Sequence, residues 1–233
     1  MEKPNIKTIA FEGLHRSGKG TQIEILNHKL EILGIPTISI RGAGSRPNLD
    51  SSVGDPYSLW WENHLKVLRS SDAKKVDWVE GSRRLARELV VFRDRVLPKF
   101  AKEKNSDVAV LLVDRSVLSH LAILEKDEII GMGKNIYGTK DIRNRSLPTI
   151  EEIFPDIIFY MKADIEVLLG RLEKDDPKYE FRKRNILENV DSFQKAIEAI
   201  PEKYRDRIIE INASQSIEEI SDYIFNIIKN LVK

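Results

Sequence analysis

The chain has 233 residues, 41% hydrophobic and 32% charged, which is enough for one substantial core and does not force a second, so a single domain over 1–233 is expected. A formal net charge of +1 leaves no global electrostatic footprint for nucleic acid or an anionic membrane, and any basic site must be local. The absence of cysteine excludes disulfides, thiolate catalysis and a cysteine zinc site, and four scattered histidines do not suggest a metal centre. Met1 to Asn5 leads directly into a strand and no apolar run approaches the ~20 residues that span a bilayer, so a cytoplasmic protein without signal peptide or anchor is expected.

Ile6 to Phe11 reads as a buried strand, and Ile23, Leu26, Leu30 and Leu33 share one face of a helix ended by Gly34 and Pro36. Between them, Gly13 and Gly18-Lys19 stand at the spacing of a phosphate-binding P-loop. Glycines there let backbone N–H groups turn inward around phosphate oxygens, Lys19 reaches the outer phosphates, and the helix offers its positive N-terminus to the same anion. Gly13, Arg16, Ser17, Gly18, Lys19, Gly20 and Thr21 are therefore the candidate nucleotide-binding residues. A glycine-rich turn without a ligand is the alternative, and strand, loop and helix in register speak against it. The general pattern puts Ser or Thr directly after the lysine to hold magnesium, whereas this chain has Gly20 and then Thr21. The same Gly-Lys-Gly-Thr order occurs in adenylate kinases, so magnesium would be held through water and Thr21.

Thr37 to Ile40 forms a second predicted strand ending on Arg41, where open α/β sheets bind ligands, and either Arg41 or Arg46 could meet an anion there. A helix is predicted from Tyr57 to about Leu68, and a longer one from Val79 towards Lys102, with Leu85, Leu89, Phe92 and Val96 on one stripe and several arginines, Arg87 among them, elsewhere. Trp60, Trp61 and Trp78 either pack between helices or stack on a base. Asp107 to Asp114 is a continuous apolar run, as a strand buried on both faces requires. It delivers Asp114-Arg115-Ser116 to the sheet's carboxyl edge, where the carboxylate can hold magnesium or its water and the arginine a phosphate; a buried structural ion pair is the alternative.

Leu118 to Leu124 reads as helical, and 130–147 as an irregular stretch over the site. Asp156 to Met161 is a fourth strand, followed by a helix from Ile165 to Leu172. The charged run of about 173–185 interrupts two helices, either as a solvated loop or as a lid that closes basic side chains over a transferring phosphoryl group; a regular helix reaching Ile200 follows. Arg207 to Ile211 is a fifth strand running into Asn212-Ala213-Ser214. The last helix opens with a capping box, Ser216 to Glu219, and its predicted core positions are Ile217, Ile220, Ile224, Ile227 and Leu231.

With these parts placed, the chain resembles the thymidylate kinase family of P-loop nucleoside monophosphate kinases from end to end. The resemblance rests on Phe11-Glu12-Gly13 and Gly18-Lys19 with Thr21-Gln22, on Asp114-Arg115-Ser116 with Ser119 and Ala122, on Pro155-Asp156 and on Asn212-Ala213-Ser214. It implies a three-layer α/β P-loop NTPase fold with a five-stranded parallel sheet in order 2-3-1-4-5 and a lid. It further implies ATP as donor, Mg2+, a deoxynucleoside monophosphate as acceptor, most simply dTMP going to dTDP, and a homodimer. Arg16 sits where one branch of the family keeps a catalytic arginine, while Arg182 and Arg184 lie in the lid where another branch keeps its own. Asn212 and Ala213 fall on the ATP side, and His15, Arg41, Arg87, Arg115 and Ser119 on the acceptor side. Lys19, Arg16, Arg182, Arg184 and Asp114 are the expected catalytic set, Thr21 and Asp114 the magnesium pair.

Two departures touch the acceptor. The family commonly has Asp where this chain has His15, and Gly42 follows Arg41 where the family has an acid. A deoxynucleoside kinase is one rival reading, and its hydroxyl acceptor would want a carboxylate base near Gly42. A nucleotide-binding regulatory protein without turnover is the other, and the presence of Lys19, Arg16 and Asp114 argues against it.

Overall fold

A computed structural model describes residues 3–41, 86–87, 89–122, 146 and 148–232, with Arg41 described by its backbone alone. The helix predicted from Tyr57 to Leu68, the three tryptophans, Arg46 and nearly all of the stretch 130–147 lie outside these residues.

Five strands, β1 (Asn5–Glu12), β2 (Thr37–Arg41), β3 (Val108–Asp114), β4 (Ile157–Lys162) and β5 (Ile208–Asn212), form one sheet in the order β2-β3-β1-β4-β5. Every pairing is parallel, which is the 2-3-1-4-5 sheet the family resemblance implies. β1 is central because it pairs on both sides, and Phe11 stands opposite Asp114 on one flank and Phe159 on the other. The strand ends that carry the P-loop and the Asp-Arg-Ser turn are therefore immediate neighbours at the carboxyl edge.

Side chains alternate across a strand with period two, and each face of the sheet has its own core. Ile9, Phe11, Val110 and Leu112 pack with Ile23, Leu26 and Leu30 of α1 (Lys19–Ile32) and with Ile220, Ile224 and Ile228 of the last helix (Ile217–Leu231). Ala10, Ala109, Leu111 and Val113 point the other way, towards α2 (Leu97–Glu103), α3 (Val117–Leu121) and the helices that follow β4. Three layers result. Glu12, two residues beyond Ala10, is on this second face, and it too is fully buried.

Several boundaries differ from the sequence reading for local reasons. The long helix before β3 widens into a π turn over Phe92–Val96, where the N–H of Leu97 reaches the carbonyl of Phe92 five residues back. Pro98, at the start of α2, has no N–H and its ring crowds the carbonyl four residues earlier, so the wider turn relieves that clash. The helix after β4 is α5 (Ile165–Gly170), two residues shorter than predicted. The charged run is not one loop: α6 (Tyr179–Glu188) begins inside it, and the helix expected to reach Ile200 is instead α6, a break at 189–191, and α7 (Ser192–Ala199). Two further one-turn helices, α4 (Ile150–Ile153) and α8 (Glu202–Arg205), have no counterpart in the sequence reading. The capping box is present in both directions, with the Glu219 N–H donating to Ser216 Oγ and the Ser216 N–H to Glu219 Oε2. Ile217 at the helix start is 51% exposed and Ile228 takes a core place instead.

Candidate active site

The P-loop shape comes from its glycines. Gly13 has φ 133°, and a Cβ there would stand 2.4 Å from the carbonyl oxygen of Met161 on β4, so the loop passes too close to the neighbouring strand for any side chain. Gly18 has φ 89° and precedes α1 as a left-handed N-cap with no side-chain bond, which leaves the first-turn N–H groups directed at the loop's mouth. Lys19 is buried and folds back over the loop, its Nζ donating to the carbonyls of Leu14 (2.8 Å) and Gly13 (3.1 Å) and to Ser17 Oγ (3.2 Å). Gly20 and Thr21 follow in the first turn of α1, with Thr21 exposed.

Arg16 takes a left-handed backbone, φ 63°. Its Nη2 lies 3.4 Å from Asp176 Oδ2 and 3.6 Å from Glu173 Oε1, while Arg182 Nη1, from α6, donates to the same Asp176 oxygen. His15 meets α6 as well, edge-on to the ring of Phe181 with centroids 6.2 Å apart. Burial pushes the His15 imidazole down to about 3, and the charges of Arg115, Lys19, Arg182 and Arg16 press it further the same way. His15 is therefore neutral at physiological pH, and four cations converge around it from loop, lid and β3 turn. Arg184, two residues on from Arg182 and so roughly 200° around the helix, is exposed.

On the other side of the loop, β3 ends at half-buried Asp114, and Arg115 again has a left-handed backbone, φ 71°. The Arg115 N–H donates to the carbonyl of Phe11 and its Nη1 stands 3.5 Å from Ser119 Oγ. Behind it sits Glu12. Its Oε1 accepts from the Ser116 N–H (2.6 Å), Ser116 Oγ (2.9 Å) and the Ser119 N–H (3.2 Å), and its Oε2 from Ser119 Oγ. Burial raises the Glu12 carboxyl above its usual range, while the hydrogen bonds from Ser119 and Ser116 and the Arg115 charge pull it back. Arg87 is half-buried at the start of the described part of its helix, and the backbone of Arg41 stands opposite Asp114 in the β2–β3 register.

Asn212 closes an Asx turn, its Oδ1 accepting from the Ser214 N–H at 3.0 Å. Buried Ala213 donates its N–H to the Lys162 carbonyl, and its own carbonyl accepts from Arg171 Nη2 at 2.8 Å. Arg171 Nη1 also reaches the carbonyl of Arg16 at 3.3 Å, which ties the β5 turn to the P-loop. Sequence reasoning missed Glu12, Arg171, Asp176 and Phe181 as members of this neighbourhood. Only Glu12 carried a signal, a carboxylate at the end of an apolar strand; Asp176 and Phe181 sit in the charged run, and Arg171 at the end of α5 looks like any solvated helix-terminal cation.

A P-loop at the end of the central strand of this parallel sheet, with a basic helix reaching over it, defines a P-loop kinase of the nucleoside monophosphate type. A family model for thymidylate kinase matches residues 85–224. Over 230 residues the chain is 25% identical to the thymidylate kinase of Thermosipho africanus, which covers 97% of this chain and 96% of that protein. It is 27% identical to the enzyme of Oceanobacillus iheyensis, covering 96% and 90%, and 28% identical to that of Dictyostelium discoideum, covering 97% and 87%. The chain belongs to the thymidylate kinase family.

Proposed function

We propose that the protein, acting as one kinase domain over its whole length, transfers the γ-phosphoryl group of ATP to a nucleoside monophosphate, with dTMP going to dTDP. The observation that carries this reading is that Arg16 of the P-loop and Arg182 of the lid helix meet at one point, above buried Lys19 in the loop and beside the Arg115 turn, a set of cations suited to two polyanions and the charge passing between them. An oxygen of the acceptor phosphate attacks the γ-phosphorus in line; the bond to the β,γ-bridging oxygen breaks, and ADP leaves with the electron pair. The nucleophile is already ionised, so positioning and charge neutralisation suffice and no general base is required.

In this reading Lys19 and the amides of the loop hold the donor phosphates, Arg16 and Arg182 cover the group in transit, and Asn212 and Ala213 border the base of the donor. Arg115, set by Ser119, takes the acceptor phosphate together with Arg41 and Arg87, and His15 faces the acceptor. Arg184, being exposed, is given no part. One carboxylate and one hydroxyl, Asp114 and Thr21, fit a magnesium ion that keeps several waters and shares the rest of its shell with phosphates; when bound it neutralises donor phosphate charge. Among the described residues no helix is long and apolar enough to cross a membrane, and the reading includes a cytoplasmic location and a homodimer, which sedimentation would check.

The test is ADP release with ATP as donor across dTMP, dUMP, UMP, dCMP, dAMP and thymidine. The expected result is the highest kcat/KM for dTMP, with selectivity sharpened by His15→Asp because a carboxylate accepts from a sugar hydroxyl more firmly than a neutral imidazole. Preference for thymidine over dTMP would make the protein a nucleoside kinase, and ATP binding without turnover on any acceptor would make it a regulatory module.

A further inference from the structure

The two arginines at this site come from different elements, yet they meet at one atom. Arg16 Nη2, on the P-loop, and Arg182 Nη1, on α6, both reach Oδ2 of Asp176. The side chain of Asp176 is only 14% exposed, and its other oxygen, Oδ1, is already engaged by the Lys178 N–H at 2.8 Å in the turn that starts α6. Among the described residues, Oδ2 is thus the one anionic atom shared by both guanidiniums. A non-bridging phosphoryl oxygen in its place would touch both as well, and Nε of Arg16, which makes no hydrogen bond among the described residues, would still have a donor for a second oxygen.

We propose that Asp176 is the internal counter-anion of a two-arginine phosphoryl site. Its Oδ2 gathers Arg16 and Arg182 to one point when the donor is absent and yields them to the γ-phosphoryl group when the donor binds. The loop arginine and the lid arginine then serve one transfer together, and Asp176 acts through them as a positioning residue. Without it, two like charges facing each other across loop and lid would repel and hold the lid off the P-loop. With it, bringing the γ-phosphoryl group in is an exchange of one anion for another, and what the arginines gain on the phosphoryl side is reduced by what they give up on the carboxylate side. This inference rests on the function proposed above.

The experiment is calorimetric titration of ATP and of ADP, each without acceptor, into the native protein and into Asp176→Asn. Asparagine keeps the shape and the Oδ1 acceptor for Lys178 but removes the competing charge. ATP should bind roughly three- to tenfold tighter, while ADP, which lacks the γ-phosphoryl group, changes less than about twofold. Adding Arg16→Ala to Asp176→Asn should abolish the gain. Unchanged or weaker ATP binding overturns the proposal, as does an equal gain for ATP and ADP, which would mark a general loss of negative charge. Asp176→Ser, whose hydroxyl can also accept from the turn, is the second variant should Asp176→Asn misfold. A native protein that binds no ATP would overturn the kinase reading too; a native protein that binds and transfers, with no ATP-selective gain in either variant, overturns only the role of Asp176.

Discussion

The turn after β1 and the turn after β3 leave adjacent strands at the same edge, and each holds an arginine in left-handed backbone, Arg16 and Arg115. A non-glycine residue pays on the order of 1–2 kcal/mol for that conformation, so in both places the surroundings must impose it. They do so by different means. The first turn is shaped by its backbone, through Gly13 wedged against Met161 and Gly18 turned left-handed before α1. The second is shaped by a side chain, the buried carboxylate of Glu12, which gathers the amides and hydroxyls of Ser116 and Ser119. One chain thus makes an anion site from main-chain curvature at one strand end and from a buried polar clasp at the next, with Glu12 belonging to the first strand and serving the second turn.

Breaking the P-loop side should have the largest effect. Lys19→Ala removes the buried cation that the carbonyls of Gly13 and Leu14 hold in place, and kcat should fall roughly 10²- to 10³-fold with thermal stability nearly unchanged. Turnover close to native in a folded Lys19→Ala protein would remove the P-loop from the mechanism.

Breaking the clasp should show first in stability. Glu12→Ala leaves the buried Ser116 donors and the half-buried Ser119 donors without their acceptor, at a cost of roughly 2 kcal/mol in urea unfolding. The variant should also raise KM for dTMP more than KM for ATP, because Arg115 is set by this clasp and Lys19 is not. An equal rise in both constants would show that Glu12 supports the whole edge rather than the second turn.

Acid sharpens the comparison with the smallest effect, since each turn has a histidine beside it. Free imidazole titrates near 6.5, whereas burial holds His120 on α3 at about 3, and burial followed by the charges of Arg115, Lys19, Arg182 and Arg16 holds His15 at about 3. Between those values the unfolded chain binds more protons, so the contribution is complete above pH 6.5 and is lost as pH falls below it, by about 1.4 kcal/mol per pH unit for each imidazole. Glu12, raised in the fold, acts in the opposite sense. Comparing the native protein with His15→Asn between pH 7 and pH 5 cancels Glu12 and His120, and the variant's acid slope in urea unfolding should be shallower by roughly 1 kcal/mol per pH unit.

The strands, the P-loop and the place of Asp114-Arg115-Ser116 are legible in the residues alone, because these are local facts. A strand buried on both faces must read as an apolar run, as Ala109 to Val113 does, and a loop that passes within contact of β4 must place glycine at Gly13. The capping box of the last helix was legible for the same reason, since its partners are three residues apart. The tertiary structure alone decided which charges meet. Nothing in the run from Glu173 to Arg184 distinguishes Asp176 from its neighbours until folding brings it to Arg16, 160 residues away in sequence. The same holds for Glu12 and Ser116, which are 104 apart, and for Arg171, whose two carbonyl partners come from the first and last turns of the sheet edge. Local geometry leaves a pattern because it repeats along the chain; a part-buried ion pair or a polar clasp depends on the packing of distant elements and leaves none.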